Sequence, residues 1–151
     1  MRPKFRAWDS AKKEMFKDTF AITESGQVVV VEQEDVMSPP DYVFVDHLVI
    51  MQSTGLFDRN GQEIFEGDII QTSAFACIVG FGQYTYVGDK NALETEIGFY
   101  LSFLNIKPAT YAPFDKYYWD NCEVIGNIHE NELDLIMYEV SKFNKEIEDE
   151  T

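Results

Sequence analysis

Asn60-Gly61 sits between two short runs in which apolar and polar residues alternate, and Gly67-Asp68 opens a third run soon after. Asn and Gly take up positive φ at little cost, so residues 58–61 read as a tight reversal joining two strands. Two reversals this close together leave no room for a long helix. They demand short strands laid side by side.

The rest of the chain agrees. Lys4-Phe5-Arg6-Ala7-Trp8 alternates charged and apolar residues, Glu14-Met15-Phe16-Lys17 does so loosely, and residues 9–13 read as the turn of an opening hairpin. Val28-Val29-Val30-Val31 is β-branched throughout and predicts a strand. Ser38-Pro39-Pro40-Asp41 ends it, because proline lacks the backbone donor and holds the preceding residue extended. Tyr42-Val43-Phe44-Val45 and Leu48-Val49-Ile50-Met51 restore apolar content, as a strand or as a short helix running into one. Beyond Gly67, short strands are expected at Ile69-Ile70, at residues 77–81, at 98–103 and at 124–128, with a long interruption over residues 107–121. Four or five short strands in this span point to a small, strongly bent barrel of the Src-homology-3 type.

The tail differs. Leu133, Ile136, Met137, Val140, Phe143 and Ile147 follow spacings of three and four, the apolar stripe of an amphipathic helix, with Asn131 as its N-cap. The expected fold is therefore mainly β (α+β). A β-rich segment over 1–55 precedes a small open barrel over 56–130, and a helix over 131–151 completes a single unit.

Composition limits what such a chain does. Its 151 residues include 27 Asp and Glu against 12 Lys and Arg, giving a net charge of −15, and aromatics make up 15%. Positive charge clusters only at Arg2, Lys4, Arg6, Lys12, Lys13 and Lys17, so direct nucleic-acid binding is disfavoured. No apolar run approaches the roughly 18 residues of a membrane span, and the start lacks the apolar stretch of a signal peptide. A cytosolic protein without a membrane role is expected. Cys77 and Cys122 are far apart in sequence and have no CxxC partner. They read as small buried hydrophobes in a reducing compartment.

Three segments together resemble the YopX family of bacteriophage and prophage proteins. They are Lys4-Phe5-Arg6-Ala7-Trp8-Asp9, the stretch from Met51-Gln52-Ser53-Thr54-Gly55-Leu56 through Asn60-Gly61 to Ile69-Ile70, and Glu123-Val124-Ile125-Gly126-Asn127-Ile128-His129-Glu130-Asn131. The resemblance covers nearly the whole chain. It implies a small β-rich, self-associating protein encoded among phage accessory genes, acting in the cytoplasm of a bacterial host cell. It carries over no catalytic residues.

The constellations that could bear chemistry all have simpler readings. Asp58, Asn60 and Glu63 superficially imitate a calcium loop, but the alternation of ligands fails after Asn60, and turn chemistry accounts for them. Asp68 reads as a strand-entry residue bonding nearby amides. Asp46-His47 and His129-Glu130 each place a carboxylate beside an imidazole, yet adjacent residues of a strand point to opposite faces. No GxSxG elbow and no phosphate-binding glycine loop is present. The expectation is a protein that is not an enzyme, with no catalytic, cofactor or metal residues. Instead it makes contacts, as a homo-oligomer and with a host or phage protein. Tyr111, Tyr117, Trp119 and Phe143 are the candidate interaction residues, since exposed Tyr and Trp make strong binding anchors. The competing expectation is an acidic nucleic-acid mimic that occupies the basic groove of a host DNA-acting protein.

Overall fold

The computed structural model describes residues 2–16 and 19–131. The chain divides into two compact units, one over Arg2–Gln52 and the other from Ser53 onward. The predicted helix beyond Asn131 lies outside the described residues.

The first unit opens with β1 (Phe5–Asp9) and β2 (Glu14–Phe16), paired antiparallel with Ala7 opposite Phe16. The turn between them is set by one side chain. Asp9 Oδ1 accepts the N–H groups of Ala11 at 2.9 Å and Lys12 at 3.0 Å, and His47 Nε2 lies 3.3 Å from it. The Lys12 N–H does most to hold this carboxyl below its ordinary pKa. Three further strands, β3 (Phe20–Ile22), β4 (Val28–Glu32) and β5 (Asp41–Val45), form an antiparallel sheet with the valine run at its centre. The segment left open between strand and helix is a strand, β6 (Leu48–Phe57). It starts beside β1, with Met51 opposite Arg6, and continues into the second unit.

In the second unit β6 turns into β7 (Glu63–Phe65) through the Asn60-Gly61 reversal. Gly61 donates to Asp58 C=O at 3.0 Å, and only Gly61 in this turn has positive φ, at 83°. Asn60 keeps an ordinary backbone and caps the turn by donating its N–H to Asp58 Oδ1 at 2.9 Å. The strands β8 (Asp68–Gln71), β9 (Ala76–Val87), β10 (Leu93–Phe103), β11 (Tyr111–Pro113) and β12 (Glu123–Asn127) follow. They form one sheet in the order β11-β10-β9-β8-β12, curled into a half-barrel. A single helical turn, α1 (Lys116–Trp119), lies between β11 and β12.

The core packs on one face of this sheet, where Ile64 of β7 and Cys122 meet it. Ile64, Ile70, Cys77, Val79, Leu101 and Cys122 pack together, and Phe99, Phe103, Phe114, Tyr118, Trp119 and Val124 close around them. Each fully buried aliphatic side chain contributes about 1.5–3 kcal/mol. Gly67 takes φ 87° at the entry to β8, and Asp68, 1% exposed, accepts Phe65 N–H at 2.8 Å. Asp68 is a structural carboxylate in the wall of the fold.

One link was not visible in the sequence. Asp58, 7% exposed, receives Asn60 and Gln62 N–H on one oxygen and Val124 N–H on the other, at 2.8–2.9 Å. Arg59, next to it, pairs with Glu123 at 2.6 Å. The β6–β7 turn is thereby tied to the start of β12. Burial alone would raise the Asp58 pKa, but the three amide donors and the Arg59 charge outweigh it and leave the pKa lowered.

Candidate interaction surface on the β9–β10 hairpin

β9 and β10 are longer than the apolar pattern predicts, at 12 and 11 residues. Their register runs from Cys77 opposite Phe103 to Val87 opposite Leu93. In a strand, alternate side chains share a face. The odd-numbered residues Cys77, Val79, Phe81, Gln83, Thr85 and Val87 thus share one with Phe103, Leu101, Phe99, Ile97, Thr95 and Leu93. The inner part of that face is the core. Past the Phe81–Phe99 ring pair, whose centroids are 4.8 Å apart, it runs out into solvent. Phe81 is 47% exposed, Val87 61%, Leu93 76% and Ile97 78%. An apolar stripe continues where no core covers it.

The opposite face of the outer hairpin is held by phenols and carboxylates. Tyr84 Oη donates to Glu96 Oε2 at 3.0 Å, and Tyr86 Oη shares its one proton between Glu94 Oε2 at 2.8 Å and Glu96 Oε1 at 2.9 Å. Burial, then the Glu96 bond, pushes the Tyr84 phenol up to about 12, so it stays protonated and donating at neutral pH. The Glu94 and Glu96 bonds raise the Tyr86 pKa in the same direction. The rings stack in sequence. Tyr84 lies 5.6 Å from Tyr86 and 5.1 Å from Tyr100, and Tyr111 meets Tyr100 edge-on at 5.8 Å. Gly80 makes this possible, because a Cβ there would lie 2.5 Å from the Tyr100 ring. An open trough of about 390 Å³ runs beside the stack, lined by Gln83, Tyr84, Thr85, Tyr100 and Tyr111.

The structure separates the aromatic residues named from sequence. Tyr117 is 71% exposed on α1, whereas Trp119 is half-buried against the core with Lys116 Nζ 4.7 Å from its ring centroid. Trp119 is thus less accessible than its loop position implied, because one helical turn rotates it and Tyr118 towards Cys122. Tyr111 lies at the end of the tyrosine stack, 36% exposed. Phe143 lies outside the described residues. Sequence reasoning missed Phe81, Val87, Leu93 and Ile97. The signal that would have found them is Tyr84-Thr85-Tyr86-Val87, a β-prone run ending at a Gly-Asp turn.

The groups best suited to chemistry are placed for other work. Cys77 and Cys122 are free and fully buried, and burial pushes their thiols up to about 12 and about 11. Among the described residues no three His, Cys, Asp or Glu side chains group as a metal site, and no helix is long and apolar enough to cross a membrane.

A curled half-barrel bearing an overlong hairpin, apolar on one face and tyrosine-rich on the other, defines a small protein that is mainly β among the described residues. The chain belongs to the YopX family, described as YopX protein, whose model matches residues 4–134. It is also similar to the crystal structure of protein EF1440 from Enterococcus faecalis, at 30% sequence identity and a TM-score of 0.56. That match covers 89% of this chain and 99% of the other. No curated protein matches it.

Proposed function

We propose that this chain is a non-enzymatic interaction module of the phage or prophage kind. It self-associates and contacts protein partners through the outer β9–β10 hairpin, with its half-barrel serving as the small open barrel of Src-homology-3 type that supports it. The observation that carries this reading is the exposed stripe of Phe81, Val87, Leu93 and Ile97 on one sheet face. Several exposed apolar side chains on one sheet face, here set around Gln83 and the Thr85–Thr95 pair, mark a contact site. The −15 charge makes two copies repel at long range, and salt screens that repulsion. Self-association through apolar contacts therefore strengthens as salt rises.

Its non-enzymatic character is supported by what the reactive groups do. The thiols are buried in their protonated form, and the carboxylate beside His47 is occupied by backbone amides.

Light scattering across a salt series tests the reading, with Leu93→Lys/Ile97→Lys as the companion variant. A defined oligomer that persists at high salt and is lost in the variant is expected. A monomer that captures a basic host protein only at low salt would instead support the nucleic-acid mimic, which the net charge favours.

A further inference from the structure

The hydrogen-bond phase of β9 can be read directly. Gly88 N–H donates to Ala92 C=O at 2.9 Å, which makes residues 88 and 92 a bonded pair. Antiparallel ladders alternate bonded and non-bonded pairs, so Tyr86–Glu94, Tyr84–Glu96 and Gly82–Gly98 are bonded too. The odd residues of β9 then direct N–H and C=O away from β10. The other edge confirms the phase, since Val79 C=O accepts Gly67 N–H at 2.8 Å and Phe75 C=O accepts Thr72 N–H at 2.8 Å. β8 follows β9 only this far. Beyond it, among the described residues, no hydrogen bond reaches the backbone of Phe81, Gln83, Thr85 or Val87 on the open side.

An open edge of this kind is a template for another strand. β5, the exposed edge of the three-stranded sheet, is guarded by Pro39 and Pro40 and begins with Asp41. Among the described residues, the β9 edge has no such guard. Gly80-Phe81-Gly82-Gln83-Tyr84-Thr85-Tyr86-Val87 contains neither proline nor charge, in a chain whose net charge is −15. It is also self-complementary. An antiparallel copy centred on Tyr84 places Phe81 opposite Val87, an aromatic–aliphatic pair, and Gln83 opposite Thr85, a polar pair. This register uses every open group from 81 to 87, about eight backbone hydrogen bonds in all. The strand carries no charge of its own, so a second copy paired along it meets no like charge within the ladder, and its self-complementary register points to that copy as the occupant.

Resting on the reading that this hairpin makes contacts, we propose that the β9 edge pairs antiparallel with the β9 edge of a second copy about a two-fold axis through Tyr84. The two half-barrel sheets then become one.

Thr85→Pro and Gln83→Pro each remove an N–H that points to the open edge and leave the ladder to β10 intact. Light scattering of the full chain should give double the monomer mass for the unmodified protein. Each proline variant should give the monomer mass, with an unchanged far-UV circular dichroism spectrum. Register is tested by mixing Gln83→Cys with Thr85→Cys protein under mild oxidation. Facing residues of a bonded pair lie about 5.5 Å apart, within disulfide reach, so the mixture cross-links and neither protein does so alone. Cys77 and Cys122 are buried and stay out of this reaction. Should a proline variant unfold, the cysteine mixture decides.

Folded proline variants that remain dimeric, with Leu93→Lys/Ile97→Lys monomeric, would overturn edge pairing and leave the face-contact reading standing. An unmodified chain that is monomeric at high micromolar concentration, with no cross-link in the mixture, would overturn pairing and self-assembly together.

Discussion

The inner and outer halves of the β9–β10 hairpin have the same strands, register and alternation, yet they are held by different forces. Inside, Cys77, Val79 and Leu101 are excluded from water under a ring of aromatics. Outside, no core lies against the corresponding side chains, and cross-strand pairs do the holding: Tyr84 to Glu96, Tyr86 to Glu94 and Thr85 to Thr95 at 2.9 Å. Alternation therefore decides which side of a sheet a residue faces. Whether that side is covered depends on what the fold brings against it. An apolar stripe that outruns its core is the part of such a molecule free to meet another surface.

The contrast breaks most sharply by truncation. Leu101→Ala should cost about 2–5 kcal/mol in urea unfolding, whereas Leu93→Ala on the same face should stay within about 0.5 kcal/mol of the unmodified protein. Equal losses would mean the outer stripe is covered.

Asp58→Ala comes next, at about 2–4 kcal/mol, because it strands three amide donors and releases the turn from β12. Its carboxyl lies below the usual aspartate value of 3.8 in the folded protein. The stabilisation is thus present above pH 3.8 and is lost as pH falls through the lower folded pKa. Unfolding midpoints measured down the acid limb should therefore fall further in the unmodified chain than in the variant, which keeps only the acid loss from carboxylates such as Asp9.

Gly80→Ala sharpens the comparison at the junction of the two halves. The new methyl collides with the Tyr100 ring, so a loss of about 1–3 kcal/mol and a weakened near-UV tyrosine signal are expected. Tyr84→Phe has the smallest of these destabilising effects, about 1 kcal/mol for one hydrogen bond. The raised Tyr84 pKa gives the matching alkaline signature. Its contribution is full below about pH 10 and fades as pH rises through about 12, which tyrosinate absorbance would follow.

Much of this architecture was legible because local signals and tertiary structure agree. Asn60-Gly61, Gly67-Asp68 and the valine run each specify their conformation within a few residues. The outer hairpin was not legible, because Gly80, Gly82 and Gly98 interrupt its strands and Glu94 and Glu96 make its far end look like a loop. Those positions fit a strand only once each is seen opposite its partner: a glycine under a tyrosine ring, a glutamate against a phenol. β3 and β11, three residues each, are too short to leave a periodic trace. The Asp58–Val124 bond joins residues 66 apart, a distance at which turn chemistry says nothing. The aromatic loop divided for a similar reason, since α1 turns Tyr118 and Trp119 inward while leaving Tyr117 outside.

Amide hydrogen exchange along β9, followed from dilute to concentrated protein, tests the central claim most directly. Gly82, Tyr84 and Tyr86 should be protected throughout by β10, while Phe81, Gln83, Thr85 and Val87 exchange freely when dilute and slow as concentration rises. If those four amides are protected at every dilution, or remain fast at every concentration, the open hairpin edge is not the surface through which this protein meets its partner.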